Sequence, residues 1–300
     1  MKNADFLVEL WVEDMPVAVQ QQAEIKLKEA VENLFISEKI DYGESKVFST
    51  PRRVAVFFKD GARFTREEKV SVKGPPAKIC FDGEGKPTVV LEGFLKKHSA
   101  DSADVRVRDE GKGEFVFLEK IISSRSFEEA LRNKISAALE GIKFTKVMRW
   151  DEYSFPRPVR NVLVMFGKKF LKVRCFGINS SRTSRGFMDS AVTITSPAEY
   201  ETNLKRKRIL ADASARLEFF RGKELKAALS PAEHILDSDE DLIRETSGIC
   251  EYPKAVCGKF DAEFLKIPHE FLHVTLKFHQ KCFPVYGKKR GYDGQIYFCR

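Results

Sequence analysis

The sequence predicts an α+β protein in which small mixed or antiparallel sheets pack with helices. Three features support this: a strand–helix–strand opening, two glycine-bearing hairpin signals, and helix-start chemistry at Ser196-Pro197 that begins a more helical texture. Residues 1–72 are expected to form a β-α-β N-terminal unit and 73–195 a hairpin-rich α+β domain. Residues 196–300 are expected to form a helical segment and the start of a further α+β portion.

Phe6–Trp11 (FLVELW) reads as a strand. After Pro16, the spacing of Val19, Ala23, Leu27, Ala30, Val31 and Leu34 predicts a helix over 17–35 with one apolar face. Lys46–Ser49 and Arg53–Lys59 read as a strand pair. Lys73-Gly74-Pro75-Pro76 predicts a turn that closes the first unit, Asp82-Gly83-Glu84-Gly85 another turn, and Val89–Lys97 a short helix. Gly111-Lys112-Gly113 between Val105–Arg108 and Phe115–Ile121 signals a hairpin. Phe127–Leu139 reads as one amphipathic helix, and Val159–Phe166 with Phe170–Phe176 as a second hairpin across Gly167-Lys168-Lys169. Ser196, Pro197 and Glu199 supply an N-cap, a first-turn proline and a capping-box acid. A long basic helix is expected from there to about Leu229, broken at Ser230-Pro231. Leu242–Ile249 reads as helix, Lys254–Phe260 as strand, and Pro268 opens a short helix. The chain stops within a strand-like run, Ile296–Cys299, so truncation is expected.

Hydrophobic residues at 43% and charged residues at 32% fit a globular chain and argue against disorder. The 25 Phe residues mostly fall in alternating or helical patterns and read as core. A net charge of +8 suits a polyanionic partner, although charge alone discriminates weakly. Its distribution says more: Lys143 to Arg185 holds eleven Lys/Arg and two acids, and Lys205 to Lys226 eight and three. The opening MKNADFLVEL has acids at Asp5 and Glu9 and no apolar run, so no signal peptide is expected. No window approaches 18 uncharged apolar residues, so no membrane span and a cytoplasmic location are expected. Six cysteines (Cys80, Cys175, Cys250, Cys257, Cys282, Cys299) lack CxxC spacing and read as free thiols.

His269-Glu270-Phe271-Leu272-His273 matches HExxH, and His279 lies at the third-ligand spacing of metzincins. On a helix, His269 and His273 would share a face for zinc, with Glu270 as base, the signature of a zinc-dependent hydrolase. Three features oppose this reading. Leu276 stands where a sharp turn needs Gly, no Met follows Met188, and no Glu follows Glu270. The competing reading is a short amphipathic helix with two incidental histidines. Cys250 and Cys257 fit no compact zinc module and read as buried thiols. No GxxxxGK[ST] and no helix-opening GxGxxG occurs, and no catalytic residue is assigned.

The run Lys205-Arg206-Lys207-Arg208 is either a solvated helix face or a phosphate contact that releases counterions. Arg52 and Arg53 at a strand start, Arg149, Arg157, and Arg182 with Arg185 in a loop are further RNA-contact candidates.

Phe6-Leu7-Val8-Glu9 followed by Glu13-Asp14-Met15-Pro16 resembles the FLVEIGTEELP opening of the glycyl-tRNA synthetase β-subunit family. Thr50-Pro51-Arg52-Arg53-Val54-Ala55-Val56 resembles its TPRRLAV segment, and Lys73-Gly74-Pro75 with Phe81–Thr88 its KGP…FDxxGxPT stretch, followed by Glu92-Gly93-Phe94. Met148-Arg149-Trp150 with Phe155–Arg160 resembles MRW…FxRPxxW. Glu251-Tyr252-Pro253 and His279–Val285 resemble its EYP and QKYFPV segments. The ordered set spans essentially the whole chain. The chain departs from it where Arg185-Gly186-Phe187-Met188 lacks the His-Arg pair of a GHRF-like run, and where Asn161 follows Arg160.

The resemblance implies a ligase subunit in an α2β2 assembly, with tRNA(Gly), the α subunit and a second β subunit as partners. It implies that ATP with Mg²⁺ is used by α, with no cofactor held here. It also implies a B3/B4-like domain, and a helical body, an HD-like region and an anticodon-binding domain outside these 300 residues. A degenerate, non-enzymatic RNA- or partner-binding module is the alternative.

Overall fold

The structure is a computed structural model that describes residues 3–109, 111, 113–222, 235–236, 239–286 and 292–299. Contacts divide the chain into two units, Met1–Arg63 with Leu131–Arg300, and Phe64–Ala130. Strand pairing sets this division, because the first strand pairs with strands from both sides of the Phe64–Ala130 insertion.

The first unit opens with β1 (Ala4–Val12), α1 (Val17–Ser37), β2 (Ser45–Thr50) and β3 (Arg53–Gly61). The inserted unit follows, with β4 (Glu68–Pro76), α2 (Ala77–Cys80), α3 (Val89–His98), β5 (Val105–Asp109), β6 (Glu114–Ile122) and the start of α4 (Phe127–Leu131). The chain returns through α5 (Lys134–Glu140), β7 (Met148–Trp150), β8 (Tyr153–Phe155), β9 (Val159–Phe166) and β10 (Lys169–Phe170).

In the first unit, β10, β9, β1, β3 and β2 form one antiparallel sheet in that order. The central β1 is buried on both faces, which accounts for the near-continuous apolar run FLVELW. Helix α1 covers one face through Ala23, Leu27, Val31, Leu34 and Phe35. Phe35 packs edge-on against Phe6 at 5.3 Å and lies 5.0 Å from Phe58. On the opposite face Leu7, Phe48, Ala55, Leu163 and Met165 share a core with Tyr200, Leu204, Ile209 and Ala211.

In the inserted unit, β4, β6 and β5 form an antiparallel sheet, and Leu91 and Leu95 of α3 pack with Ala77, Cys80, Val116 and Leu118. Lys73–Pro76, expected as a turn, instead extends β4 along a sheet edge. The edge tolerates two prolines, which lack N–H groups. Gly74 lets the Phe94 ring approach the strand closely, since a Cβ would lie 2.9 Å from that ring. The Gly111–Gly113 hairpin joins β5 to β6 as expected, with Lys112 outside the described residues.

Three further sequence expectations are corrected. The helix expected over 127–139 is two, α4 and α5, separated at Arg132-Asn133. A Ser126–Glu129 capping box starts the first: Ser126 N–H donates to Glu129 Oε2 at 3.0 Å, and Glu129 N–H to Ser126 Oγ at 3.4 Å. The second expected hairpin exists, but its return strand β10 is only Lys169–Phe170. Beyond it β11 (Arg174–Cys175) and β12 (Ile178–Asn179) turn back through Phe176 and Gly177, both at positive φ.

The third correction concerns the long basic helix. After β13 (Thr183–Arg185) and β14 (Ala191–Thr193), α6 spans only Tyr200–Arg206 and α7 spans Ala213–Arg221. Between them Arg208 has φ +56°. Ile209 N–H donates to Leu204 O at 3.0 Å and Arg208 N–H to Lys205 O at 3.1 Å, a Schellman closure with Leu204 and Ile209 both buried. Asp212 then caps α7 by accepting from the Ser214 and Ala215 N–H groups at 2.9 and 3.3 Å. The expected helix beyond 222 and the Ser230-Pro231 break lie outside the described residues.

Helix Glu240–Ile249 packs with α7 through Phe220, Leu242, Ile243 and Phe283. Strands Ile235–Leu236, Phe283–Tyr286, Tyr292–Cys299 and Ala255–Lys259 form a four-stranded antiparallel sheet in that order. No helix among the described residues is long and apolar enough to cross a membrane.

Candidate nucleic-acid interface

The tight β2–β3 turn, Thr50-Pro51-Arg52-Arg53, sends two adjacent arginines to different environments. Its backbone is fixed by Val12 N–H donating to Arg52 O at 2.8 Å and Met15 N–H to Pro51 O at 2.7 Å.

Arg53 points into the sheet and has no exposed surface. One Nη1 donates to Ser184 Oγ at 2.9 Å and lies 3.3 Å from Glu9 Oε2, while Nε donates to Thr50 Oγ1 at 3.2 Å. Its Nη2 donates to the Arg185 carbonyl and to Glu251 Oε1. Glu9, also fully buried, accepts at Oε2 from Ser184 at 2.7 Å and Tyr200 at 2.5 Å. Burial opposes the Arg53 charge, but Glu9 and Glu251 outweigh it and raise the guanidinium pKa. Burial and then the Glu9 charge push the Tyr200 phenol well above its ordinary value. A ligand cannot touch atoms with no exposed surface, so this cluster ties β1, β3, β13 and α6 together. Arg53 therefore leaves the set of RNA-contact candidates.

Tyr200→Phe tests the cluster through pH. A phenol whose folded pKa is raised contributes fully below its unfolded value of 10.0, and that contribution is lost as pH rises toward the folded value. Urea unfolding between pH 8 and 11 is expected to show the wild type losing stability above pH 10 more steeply than Tyr200→Phe. The variant is weaker by about 1 kcal/mol at neutral pH.

Arg52 turns outward and is half-buried. It pairs with Asp189 at 2.7 Å and Glu251 at 3.1 Å, and its guanidinium lies 5.9 Å from the Trp11 ring. Burial lowers its pKa, and Glu251 and Asp189 more than restore it. Arg185 approaches the same ring at 5.8 Å and donates to Asp189 O at 3.3 Å. The loop carrying Arg185 lies against the end of α6, where Phe187 N–H donates to Lys207 O at 2.9 Å. Gly186 permits the approach, since a Cβ there would meet Lys207 Cβ at 2.6 Å. The structure thus gathers Arg52, Arg185 and the α6 end. Lys205, Arg206, Lys207 and Arg208 are all exposed there, with no ion pair to a described residue.

The remaining candidates each donate to a backbone carbonyl. Arg182 donates to Lys168 O at 2.9 Å, Arg149 to Asp151 O at 2.9 Å, and Arg157 to Asp14 O at 2.8 Å.

The metal reading of HEFLH is corrected. Helix His269–Val274 runs on into a wide helical turn, Thr275–His279, so Leu276 is helical rather than at a sharp bend. Among the described residues no group of three or more His, Cys, Asp or Glu side chains could hold a metal ion. Cys80, Cys175, Cys250 and Cys282 are free thiols, and burial pushes Cys250 up to about 11. The side chains of Cys257 and Cys299 lie outside the described residues.

Sequence reading missed Glu9, Ser184, Tyr200 and Glu251 as partners of Arg53. One signal was present: an acid inside the apolar run FLVELW requires a buried partner.

The described residues form a mixed α/β fold with an exposed basic helix end and a buried polar cluster around Glu9 and Arg53. Residues 6–296 match the family described as glycyl-tRNA synthetase beta subunit, and the chain belongs to that family, a family of ligases in protein biosynthesis. It is 33% identical over 292 residues to the glycine--tRNA ligase beta subunit of Bacillus subtilis (strain 168), covering 96% of this chain and 43% of that protein. Identity is 32% over 299 residues to the same subunit of Aquifex aeolicus (strain VF5), covering 96% and 44%. It is 31% over 294 residues to that of Coxiella burnetii (strain RSA 493 / Nine Mile phase I), covering 96% and 42%. The chain spans less than half the length of these relatives.

Proposed function

We propose that this chain is the amino-terminal portion of a glycine--tRNA ligase β subunit and supports attachment of glycine to tRNA(Gly). It binds tRNA and assembles with an α subunit and a second β subunit as α2β2, in the cytoplasm. The α subunit holds the site that uses glycine, ATP and Mg²⁺. A B3/B4-like domain lies within the chain. The observation that carries this reading is the family match over residues 6–296. The exposed run Lys205–Arg208 adds a charge pattern suited to phosphate, because each cation that meets a phosphate releases counterions.

Titration of the chain with tRNA(Gly) at rising salt tests the RNA part. The logarithm of the binding constant is expected to fall linearly with the logarithm of salt concentration. Salt-independent affinity, or equal affinity for a neutral polymer, would remove RNA binding from the proposal.

A further inference from the structure

The turn between β13 and β14 combines a strained backbone with an exposed apolar tip. Met188 and Asp189, neither of them glycine, both lie in the left-handed region, at φ +51° and +57°. That conformation brings Cβ too close to the following carbonyl oxygen. The same turn leaves its two apolar side chains in water, with Phe187 49% exposed and Met188 83% exposed. Strain of this kind persists only where the surroundings over-determine it, and it concentrates where ligands bind.

The surroundings here are specific. Gly186 N–H donates to Ser190 O at 2.7 Å and Ser190 N–H to Phe187 O at 3.2 Å, which closes the turn. Arg52 pairs with the Asp189 carboxylate, and Arg185 Nη1 donates to Asp189 O at 3.3 Å. Phe187 N–H reaches Lys207 O at 2.9 Å, so the turn is fastened to the end of α6. The apolar tip therefore stands beside the exposed cations Lys205, Arg206, Lys207 and Arg208. The acid of the turn, Asp189, already has Arg52 as its counterion. A ligand meets a backbone that is set before it arrives, which lowers the entropy cost of binding.

We propose that Phe187 is a stacking platform for an unpaired nucleotide base, with the phosphates flanking that base held by the Lys205–Arg208 run. It rests on the RNA-binding reading above and names the kind of nucleotide that site takes. Cations alone meet only the backbone, whereas an aromatic ring offers a face to any base. Bases inside a duplex are stacked on one another and hidden from such a ring, so the ring selects a single strand, a loop or a free end. An apolar protein surface would cover Phe187 but leave the neighbouring cations without counter-charge. A nucleotide supplies both the face and the charge.

The test uses the full chain with Phe187→Ala, Phe187→Leu and Phe187→Trp, and circular dichroism melting to confirm an unchanged fold. Each is titrated with tRNA(Gly), with a blunt RNA duplex, and with that duplex carrying a short 3′ single-stranded extension. Phe187→Ala is expected to lose roughly tenfold in affinity for tRNA(Gly) and for the extended duplex, and much less for the blunt one. Its salt slope should stay unchanged, because stacking releases no counterions. Phe187→Trp should keep the affinity, and Phe187→Leu, apolar but without a π-face, should lose it. If the wild type binds tRNA and Phe187→Ala or Phe187→Leu binds equally well, the stacking proposal is overturned while the RNA reading stands. An equal loss on blunt and extended duplexes also overturns it. If the wild type binds no RNA, both fall. A Phe187→Ala chain that keeps its RNA affinity but no longer co-elutes with a purified α subunit would reassign the tip to a protein contact and overturn the proposal.

Discussion

Arg53→Met is expected to destabilise the chain by about 3–5 kcal/mol, because it leaves Glu9 buried without its cation. Glu9 and Arg53 are both fully buried, and Ser184 and Tyr200 alone would then donate to the Glu9 carboxylate. The neighbouring Arg52→Met should cost less than about 1 kcal/mol, since Arg52 and its partner Asp189 are partly solvated. Urea unfolding of the two variants reads this contrast directly. The double variant Glu9→Leu/Arg53→Met should recover much of the loss, because the uncompensated charge is then gone. Equal, small effects of Arg52→Met and Arg53→Met would show that the buried cluster does not hold the sheet.

A comparable loss, about 3 kcal/mol, is expected for Arg216→Met. Arg216 is 1% exposed and joins three segments through backbone carbonyls. Its Nε donates to Ser247 O at 2.9 Å, and its Nη1 to Ser49 O and Leu210 O, each at 2.7 Å. Burial lowers its pKa despite nearby Cys250 and carboxylates. Methionine fills the space but cannot donate, so buried carbonyls lose their partners. The measurement is again the unfolding midpoint. A variant as stable as wild type would mean those carbonyls find other donors.

The strand–helix–strand opening was legible because periodicity is a strong signal there: α1 buries residues at helical spacing, and β1 reads as a buried strand. Where the helices stop was harder to read. Three helices end in the same left-handed closure, at Lys39, Ser99 and Arg208, all non-glycine residues with φ near +50°. Without a glycine the composition carries no stop signal, and the reading ran α6 and α7 together. The cue that remains is apolar. Phe35 with Ile40, Leu95 with Ala100, and Leu204 with Ile209 stand five apart across each closure.

The same limit applies to the arginines. Charge identifies Arg52 and Arg53 equally, while burial separates them. Arg216 was legible only as part of a basic cluster. Yet Phe220, four residues on, shares its helix face and reaches the core. The exposed run Lys205–Arg208 was found in sequence, but its place at a helix end beside Arg185 and Gly186 depends on the α6 closure.

The central claim is that RNA meets the exposed cations while the buried ones hold the fold. It is tested most directly by Lys205→Gln/Arg206→Gln/Lys207→Gln, which leaves the left-handed Arg208 in place. Binding of tRNA(Gly) is measured across a salt series alongside the melting temperature. The account predicts weaker binding, a salt slope shallower by up to about three, and an unchanged melting temperature. Unchanged affinity and slope in a folded variant would contradict it.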